Sequence, residues 1–408
     1  MEKDNIFVQI ASYRDPELIP TLDSLFENAA FPHNIKVCVH NQYSDDDNFG
    51  LQKYRKDPNV IIIDTPYNES KGACWARNLI QQKYNNEKYT LQLDSHHRFV
   101  KHWDVKLITM YENLREQGHK KPLLTTYATA YDPNNFSIKD SDVPWGMKFD
   151  RFTPEGIVFF LPWHMDKDTP EPIPARFYSA HFAFTTGEFC NEVQHDDQIY
   201  FHGEEISIAV RAFTHGYSLF HPNEVLVYHE YTRQNRTKHW DDHNSWHIEN
   251  NKAHERVRKL LGVDGECSPC HRKKLFKEYG LGNVRTLNDY EEYAGIRFSD
   301  RALRQSCLDN EIPTLGKKDE LYHDKFTHII NLHGNQFQYD DYMFCAIIFE
   351  DENKKELFRK DVTNLNDLIK NKDNFILPVE SNTKKPSNIV VWAHSASKGW
   401  AERLDIPI

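Results

Sequence analysis

The sequence predicts an α/β fold: a mostly parallel sheet with helices on its faces, followed by a small C-terminal β-rich domain of sandwich type. Three observations carry this. Over residues 6–129, short apolar runs rich in β-branched residues alternate with amphipathic stretches, the rhythm of strands joined by crossover helices. One of these runs, Tyr89-Thr90-Leu91-Gln92-Leu93, leads straight into Asp94-Ser95-His96, so chemically active side chains stand at a strand end. Beyond residue 323, helical periodicity gives way to strand-like runs.

The elements follow in order. Residues 6–12 (Ile6-Phe7-Val8-Gln9-Ile10-Ala11-Ser12) form a first strand. Asp15 is a natural N-cap and Pro16 a first-turn residue for a helix carrying Leu18, Leu22, Leu25 and Phe26. Ile35, Val37 and Val39 alternate in a second strand, and a polar loop runs from 41 to 48. Val60-Ile61-Ile62-Ile63 is a third, buried strand, and Ala73, Ala76, Leu79 and Ile80 mark a helix over 72–83. After the strand that ends at Asp94 come a helix over 101–117 and a strand over 123–129. Residues 131–175 are rich in Pro, Asp and aromatics and lack a period, the character of a functional loop region. Within them, Phe159-Phe160-Leu161-Pro162-Trp163-His164 is expected to be an ordered aromatic wall. Glu204-Glu205 opens a helix that passes Arg211 and is capped by Gly216, and a strand over 225–228 delivers His229.

At about 150 residues per domain, 408 residues suggest two or three domains. The expected division is 1–300, a polar linker over 301–322 with Pro313 and Gly316, and 323–408. A net charge of −11 argues against a nucleic-acid binder, and it leaves an anionic ligand dependent on a metal or on clustered Arg. The first residues lack a signal peptide's basic start and apolar run, and no window approaches a membrane span. The seven cysteines are an odd number and mostly stand singly, as Cys38 and Cys345 do, which fits a reducing compartment. Cys267-Ser268-Pro269-Cys270 has no second pair at zinc-finger spacing. The expected location is cytoplasmic.

Asp94 and His96, two apart at a strand end, turn their side chains to one side of a tight bend. In an open α/β sheet that end of a strand is where ligands bind. A carboxylate and an imidazole, completed by phosphate oxygens and water, suit Mn²⁺ better than Mg²⁺. The plain alternatives are a surface turn at Asp94, dipole-favoured first-turn acids at Glu204 and Glu205, and a structural His229. There is no glycine-rich phosphate loop, so a bound nucleotide would be held by a metal and side chains. There is also no His-Glu-x-x-His helix, which disfavours a zinc hydrolase.

Several segments, in matching order over about residues 5–300, carry a family resemblance. They are Ile10-Ala11-Ser12-Tyr13-Arg14-Asp15, Gly72 through Ala76-Arg77, Leu91-Gln92-Leu93-Asp94-Ser95-His96 and Trp103-Asp104. Downstream are Gly203-Glu204-Glu205-Ile206, Thr214-His215-Gly216-Tyr217, Val227-Tyr228-His229-Glu230-Tyr231 and Tyr279-Gly280-Leu281-Gly282. Arg285-Thr286-Leu287 and Tyr290-Glu291 extend the match. Together they resemble the GT-A nucleotide-sugar glycosyltransferases, whose core is a Rossmann-like sheet. Within these the chain is most similar to the cytoplasmic GlcNAc-transferases that modify hydroxyproline of a ubiquitin-ligase adaptor. The polypeptide GalNAc-transferases are a more distant likeness.

The resemblance implies that Asp94 and His96 form an Asp-x-His metal motif with His229 as third ligand, and that Mn²⁺ bridges the phosphates of a UDP-sugar. It places Ser12, Arg14, Arg77, Asp94 and Ser95 at the nucleotide and Glu204 on the sugar hydroxyls. Glu204, Glu205 and Asp197 are the candidate catalytic carboxylates. The implied reaction retains anomeric configuration by a front-face route without a protein nucleophile; Glu204 or Glu205 would be the residue to test for a covalent route. The expected donor is UDP-GlcNAc and the acceptor a protein hydroxyproline, Ser or Thr, or a glycan. Residues 131–175, where acceptor contacts belong, match no motif. The alternatives are a UDP-GalNAc- or UDP-Glc-using enzyme of surface polysaccharide synthesis, or an inactive glycan-binding module.

In the C-terminal part, strands are expected over 327–332, 342–350, 356–362, 375–380 and 388–394, with a hairpin-type turn at Asp351-Glu352-Asn353-Lys354-Lys355. Trp392 and Trp400 there are expected to pack the core, with glycan binding or an oligomer contact, including a homo-oligomer, as the functional alternative.

Overall fold

The computed structural model describes residues 4–47, 49–139, 142–232, 236–265, 267–316, 320–323, 326–370, 374–383 and 386–408. The chain divides into two compact units. One comprises Met1–Ala294 with Ile312–Gly316, and the other Gly295–Glu311 with Lys317–Ile408.

The first unit opens with β1 (Ile6–Tyr13), α1 (Leu18–Asn28), β2 (Ile35–Tyr43), β3 (Val60–Pro66), α2 (Ala73–Gln81) and β4 (Tyr89–Asp94). It continues with β5 (His97–Phe99), α3 (Trp103–Glu116), β6 (Pro122–Thr125), β7 (Thr129–Ala130), β8 (Trp145–Phe152) and β9 (Val158–His164). Then come β10 (Ile173–Pro174), β11 (Phe182–Thr186), α4 (Phe189–Glu192), α5 (Glu204–Thr214), β12 (Ser218–His221) and β13 (Val227–His229). Two helices, α6 (His239–Asp242) and α7 (Trp246–Leu261), follow the last of these strands.

Eight strands form one sheet in the order β10-β12-β6-β11-β4-β1-β2-β3. The pairs β1–β2, β1–β4, β2–β3 and β6–β12 are parallel, whereas β11 runs antiparallel to β4 and β6. Strand β1 is buried on both faces: Ile6, Phe7, Val8 and Ile10 are all within 1% of full burial. A parallel strand covered by helices on both sides therefore reads as a continuous apolar run. Helices α1 and α3 pack Leu18, Leu22, Leu25, Trp103, Leu107 and Leu114 into this core, beside Leu91 and Leu93 of β4.

A second, three-stranded sheet, β5-β13-β7, sits at the carboxyl end of β4. Its register pairs His97 with His229, and the Glu230 N–H donates to the His96 carbonyl at 3.1 Å. This pairing brings residues 132 positions apart in the chain to one place, and it builds the candidate site.

Local expectations differ from the structure in four places. Helix α1 starts at Leu18 with Glu17 at its N-cap; Asp15 accepts the Glu17 N–H at 2.9 Å through Oδ1 but turns Oδ2 towards Ser95 and His96. The strand expected over 123–129 is two short strands in different sheets, β6 and β7. The aperiodic region 131–175 contains an antiparallel hairpin, β8–β9, whose register slips between Phe149 and Arg151. The expected linker 301–322 carries strands Ala302–Arg304 and Tyr322–His323 and a short helix, Gln305–Leu308. Residues Gly295–Glu311 accordingly group with the second unit.

In that second unit, strands Phe326–His333 and Asn374–Ser381 pair as one antiparallel sheet. Tyr342–Glu350, Glu356–Val362, Asn388–Ser395, Gly399–Trp400 and Leu404–Pro407 make a second, and Ile296–Arg297, Ala302–Arg304 and Tyr322–His323 a third. Ile330, Leu332 and Val379 from the first sheet and Cys345, Ile347, Phe349, Ile389 and Val391 from the second share one core. Trp392 is half-buried and donates Nε1–H to the Ala401 carbonyl at 2.9 Å, while Trp400 remains 42% exposed.

Candidate metal and donor site

Asp94 ends β4, His96 lies in the turn after it, and His229 ends β13. One ligand atom from each lies within 4.8 Å of the others. Asp94 Oδ2 is 3.7 Å from His96 Nε2 and 3.5 Å from His229 Nε2. Ligand atoms that share an ion at about 2.1 Å stand about 3.0–3.5 Å apart, so this spacing needs only a slight contraction.

The protonation pattern also suits a metal. Asp15 Oδ2 takes the proton of His96 Nδ1 at 2.8 Å, and Arg236 donates to His96 Nε2 at 2.8 Å. Nε2 thereby carries the lone pair, which Arg236 occupies here and which an ion would take in its place; a carboxylate behind a metal-binding histidine is the usual arrangement. Burial pushes His229, His181 and His97 well below the ordinary imidazole range, which keeps them neutral at pH 7. Burial would raise the Asp15 carboxyl, but His96, Arg236 and Ser95 hold it at about 2. The Asp94 side chain keeps 27% of its surface open, on a site otherwise enclosed. Burial pushes its carboxyl up, yet His229, Arg77 and His96 together bring it well below the usual range. A carboxylate and two imidazoles whose Nε2 atoms face its Oδ2 fit a divalent ion such as Mn²⁺.

Helix α2 supplies the next layer. Its N-cap is Gly72, where φ is +106° and an added Cβ would stand 2.8 Å from the Tyr200 carbonyl, so only glycine fits. Cys74, Arg77, Asn78 and Gln81 line its buried face at helical spacing. Arg77 donates to Glu204 Oε1 and Oε2 at 2.7 and 2.6 Å and to Asp94 Oδ1 at 2.6 Å. It therefore ties a metal ligand to α5. Both oxygens of Glu204 are engaged by Arg77, His195 Nδ1 stands 2.9 Å from Oε1, and the side chain is 3% exposed. That geometry makes Glu204 an anchor of the site, where the family resemblance implied a sugar contact.

Glu205, one position on, faces the other way and is half-buried. Its Oε1 accepts the Ala180 N–H at 2.9 Å and Oε2 accepts the Tyr127 hydroxyl at 3.0 Å. Burial pushes its carboxyl up against the Ala180 hydrogen bond, and the neighbouring Glu204 charge adds to the rise, to about 7. A glutamate raised from about 4.5 stabilises the fold when protonated, and this contribution is lost as pH climbs to about 7. Glu205→Gln is therefore expected to match wild type near pH 4 and to exceed it by about 1–3 kcal/mol at pH 8. Urea midpoints at the two pH values measure this; an equal offset at both would refute it.

The remaining sequence-predicted residues divide. Ser95 is buried and gives its hydroxyl to Asp15 Oδ2 at 2.6 Å, so it supports His96 from behind. Ser12 is buried at the end of β1, and its carbonyl accepts from Gln42 Nε2 at 3.2 Å. Arg14 pairs with Asp47 at 3.0 Å and Asp242 at 3.1 Å and lies 5.0 Å over the Tyr67 ring, so its charge joins three chain segments. Asp197 is exposed and lines a separate cavity of about 540 Å³ with Lys71, Tyr200, His239 and Trp246; Asp94, His96 and His229 do not line it. Cys267 and Cys270 belong to neither metal-competent group found among the described residues.

Three residues important to the site escaped sequence reasoning: Asp15, Arg236 and His195. Asp15 had a usable signal, a carboxylate just past the end of a parallel strand. An aromatic wall completes one side of the site. His181 stacks 4.2 Å from His229, Tyr127 lies 5.1 Å from His181, and Trp145 of the β8–β9 hairpin lies 5.8 Å from Tyr231.

The family model for GlcNAc glycosyltransferases matches residues 5–58 and 51–300, most of the chain. The chain belongs to this family. As a GlcNAc glycosyltransferase family member it has the GT-A fold, in agreement with the resemblance carried by its sequence motifs. A solved structure of GalNAc-T7 with UDP, GalNAc and Mn²⁺ is similar at a TM-score of 0.51 and 14% identity, over 71% of this chain. The match covers 54% of the GalNAc-T7 chain, so this protein spans about half its length. TarS of S. aureus matches over 99% of this chain and 77% of its own at 11% identity, with a TM-score of 0.37. TarS 1–349 with UDP-GlcNAc matches over 70% and 72% at 13% identity and a TM-score of 0.38. No curated protein matches the chain in sequence. No helix among the described residues is long and apolar enough to cross a membrane.

Proposed function

We propose that this protein is a metal-dependent, retaining transferase that moves GlcNAc from UDP-GlcNAc to an acceptor hydroxyl on a protein or glycan. The observation that carries this reading is the convergence of Asp94, His96 and His229 within 4.8 Å at the carboxyl end of a central strand. These three would hold the divalent ion, Mn²⁺ by its donor set. When bound, it supplies Lewis-acid stabilisation of the charge that builds on a departing diphosphate. The GalNAc-T7 structure, with UDP, GalNAc and Mn²⁺ in the same fold, supports this chemistry.

The chain's own residues do the positioning. Asp15 sets the tautomer and tilt of His96, and Arg77 neutralises one oxygen of Asp94 while leaving the other open. Arg236, 2.8 Å from His96 Nε2, brings a second cation to where phosphate charge collects. The aromatic wall of Tyr127, Trp145, His181 and Tyr231 keeps one side of the cleft dry. With no free buried carboxylate at Glu204 to serve as nucleophile, a front-face route fits best, the leaving phosphate oxygen taking the acceptor's proton. Glu205, half-exposed with a carboxyl at about 7, is the residue to test for a proton-handling role. The first unit would carry this reaction and the second would be an accessory domain. The seven unpaired cysteines support a cytoplasmic site of action.

UDP release from UDP-GlcNAc, UDP-GalNAc and UDP-Glc, each with Mn²⁺ or chelator, tests the donor. Chelator-sensitive release from UDP-GlcNAc above the others is expected. Release from another sugar alone would replace the donor, and no release with no UDP binding would favour an inactive glycan-binding module.

A further inference from the structure

Cys74, His195 and Glu204 are 1%, 0% and 3% exposed, and one ligand atom from each lies within 4.8 Å of the others. No part of the proposed chemistry uses Cys74 or His195. Cys74 lies in the first turn of α2, His195 in the loop before α5, and Glu204 opens α5. The backbone of His195 is fixed to α2: Gln81 Oε1 accepts its N–H and Asn78 Nδ2 donates to its carbonyl, both at 2.7 Å. Gln92 fixes the ring. Gln92 Nε2 donates to the Ala180 carbonyl at 2.6 Å, so its Oε1 is the atom that faces His195 Nε2 at 2.5 Å. That contact places the ring's proton on Nε2. Nδ1 is left with a bare lone pair: it is buried, makes no hydrogen bond, and faces Glu204 Oε1 at 2.9 Å. Burial pushes this imidazole below its ordinary range, against the pull of Glu204, so a second proton does not fill the gap. Two acceptors so close repel unless a cation stands between them.

We propose that Cys74 Sγ, His195 Nδ1 and a Glu204 carboxylate oxygen form a buried zinc site, separate from the donor site. Thiolate, imidazole and carboxylate are zinc's ordinary ligands, and around one ion they stand roughly 3.3–3.7 Å apart. The His195–Glu204 pair therefore opens slightly and Cys74 closes in. The sulfur distinguishes this set from Asp94, His96 and His229, whose oxygen and nitrogen donors suit Mn²⁺. Both outer partners are in place. Gln92 accepts the proton on the far nitrogen of the His195 ring, and Arg77 donates to Glu204 Oε1 and Oε2 at 2.7 and 2.6 Å. The formal charges then balance: the Cys74 thiolate, Glu204 and Asp94 are three negatives, Arg77 and a divalent ion three positives. Loading exchanges one proton. The Cys74 S–H bond breaks, a sulfur–zinc bond forms, and the proton leaves to water. Without metal, burial and the Glu204 charge hold the thiol well above its ordinary range, and the competing arrangement is a plain thiol beside the carboxylate. That arrangement leaves His195 Nδ1 without a partner; the ion gives it one. Enclosed by buried residues, the zinc is structural. It staples α2 to α5 and to the loop before it, around Arg77, and does not depend on the donor reading.

Metal analysis of the full chain, expressed with added zinc and purified without chelator, tests this. Wild type and Asp94→Asn are each expected to hold one zinc that Cys74→Ser, checked for folding by circular dichroism, lacks. Zinc-free wild type overturns the proposal. So does a Cys74→Ser variant with as much zinc as wild type, or zinc lost from Asp94→Asn, which would place the ion at the donor site instead. Should Cys74→Ser not fold, cobalt exchange decides the matter in a chain that keeps Cys74. In Cys267→Ser/Cys270→Ser, which removes the closely spaced thiols elsewhere, bound Co²⁺ is expected to show a thiolate-to-metal charge-transfer band in the near ultraviolet. Cobalt bound without that band would mean that no sulfur ligates it, and the site would fall. Loss of Mn²⁺-dependent UDP release with the zinc retained would strike the donor reading alone.

Discussion

Asp94→Ala is expected to abolish Mn²⁺-dependent release of UDP, a loss of about 10³-fold or more. The estimate follows from what the residue does. A bound ion contributes several kcal/mol of charge stabilisation, and each 1.36 kcal/mol is tenfold in rate. Asp94 is the only carboxylate among the three proposed ligands and stands between the two histidines, 3.7 and 3.5 Å from their Nε2 atoms. Its removal also frees Arg77, which could disturb the fold by itself. Asp94→Asn separates the effects: the amide oxygen can still accept from Arg77, but the anionic ligand is gone. Both variants are expected to lose Mn²⁺ binding, with Asn closer to wild type in unfolding midpoint. Full activity in either one would remove Asp94 from the mechanism.

The largest stability effect is expected at Arg77. Its guanidinium is 5% exposed and faces Glu204 and Asp94 together. Removing one partner of a buried ion pair typically costs about 3–5 kcal/mol, because the partner is left charged and uncompensated. Arg77→Leu should fall in that range by urea unfolding. The deficit should shrink as pH falls, since protonating the two stranded carboxylates relieves it. A cost below about 1 kcal/mol would mean the cluster is far better solvated than its burial indicates.

Particular residues show how much of this could be read in the chain beforehand. The sheet was legible because parallel strands buried on both faces are unbroken apolar runs, and Asp94 and His96 stood out where such a run stopped. His229 was legible only through family resemblance, since its place depends on the register of β5 with β13, which no spacing encodes. Asp15 was mistaken for a helix cap because a local hydrogen-bond preference was weighed without the neighbouring strand, whose end puts Ser95 and His96 within reach. Glu204 and Glu205 are adjacent on a helix and point about 100° apart, so one turns inward to Arg77 and the other towards the cleft. Sequence gave no means of telling which. The β8–β9 hairpin went unseen because its register slip breaks the alternation that identifies a strand. In the expected linker, strands of two and three residues are too short to show any period.

The central claim is tested most directly by anomalous diffraction at the manganese edge from crystals grown with Mn²⁺ and UDP. A single strong peak within bonding distance of Asp94 Oδ2, His96 Nε2 and His229 Nε2 is the predicted result. A peak elsewhere, or none at these three atoms with UDP bound, would contradict it.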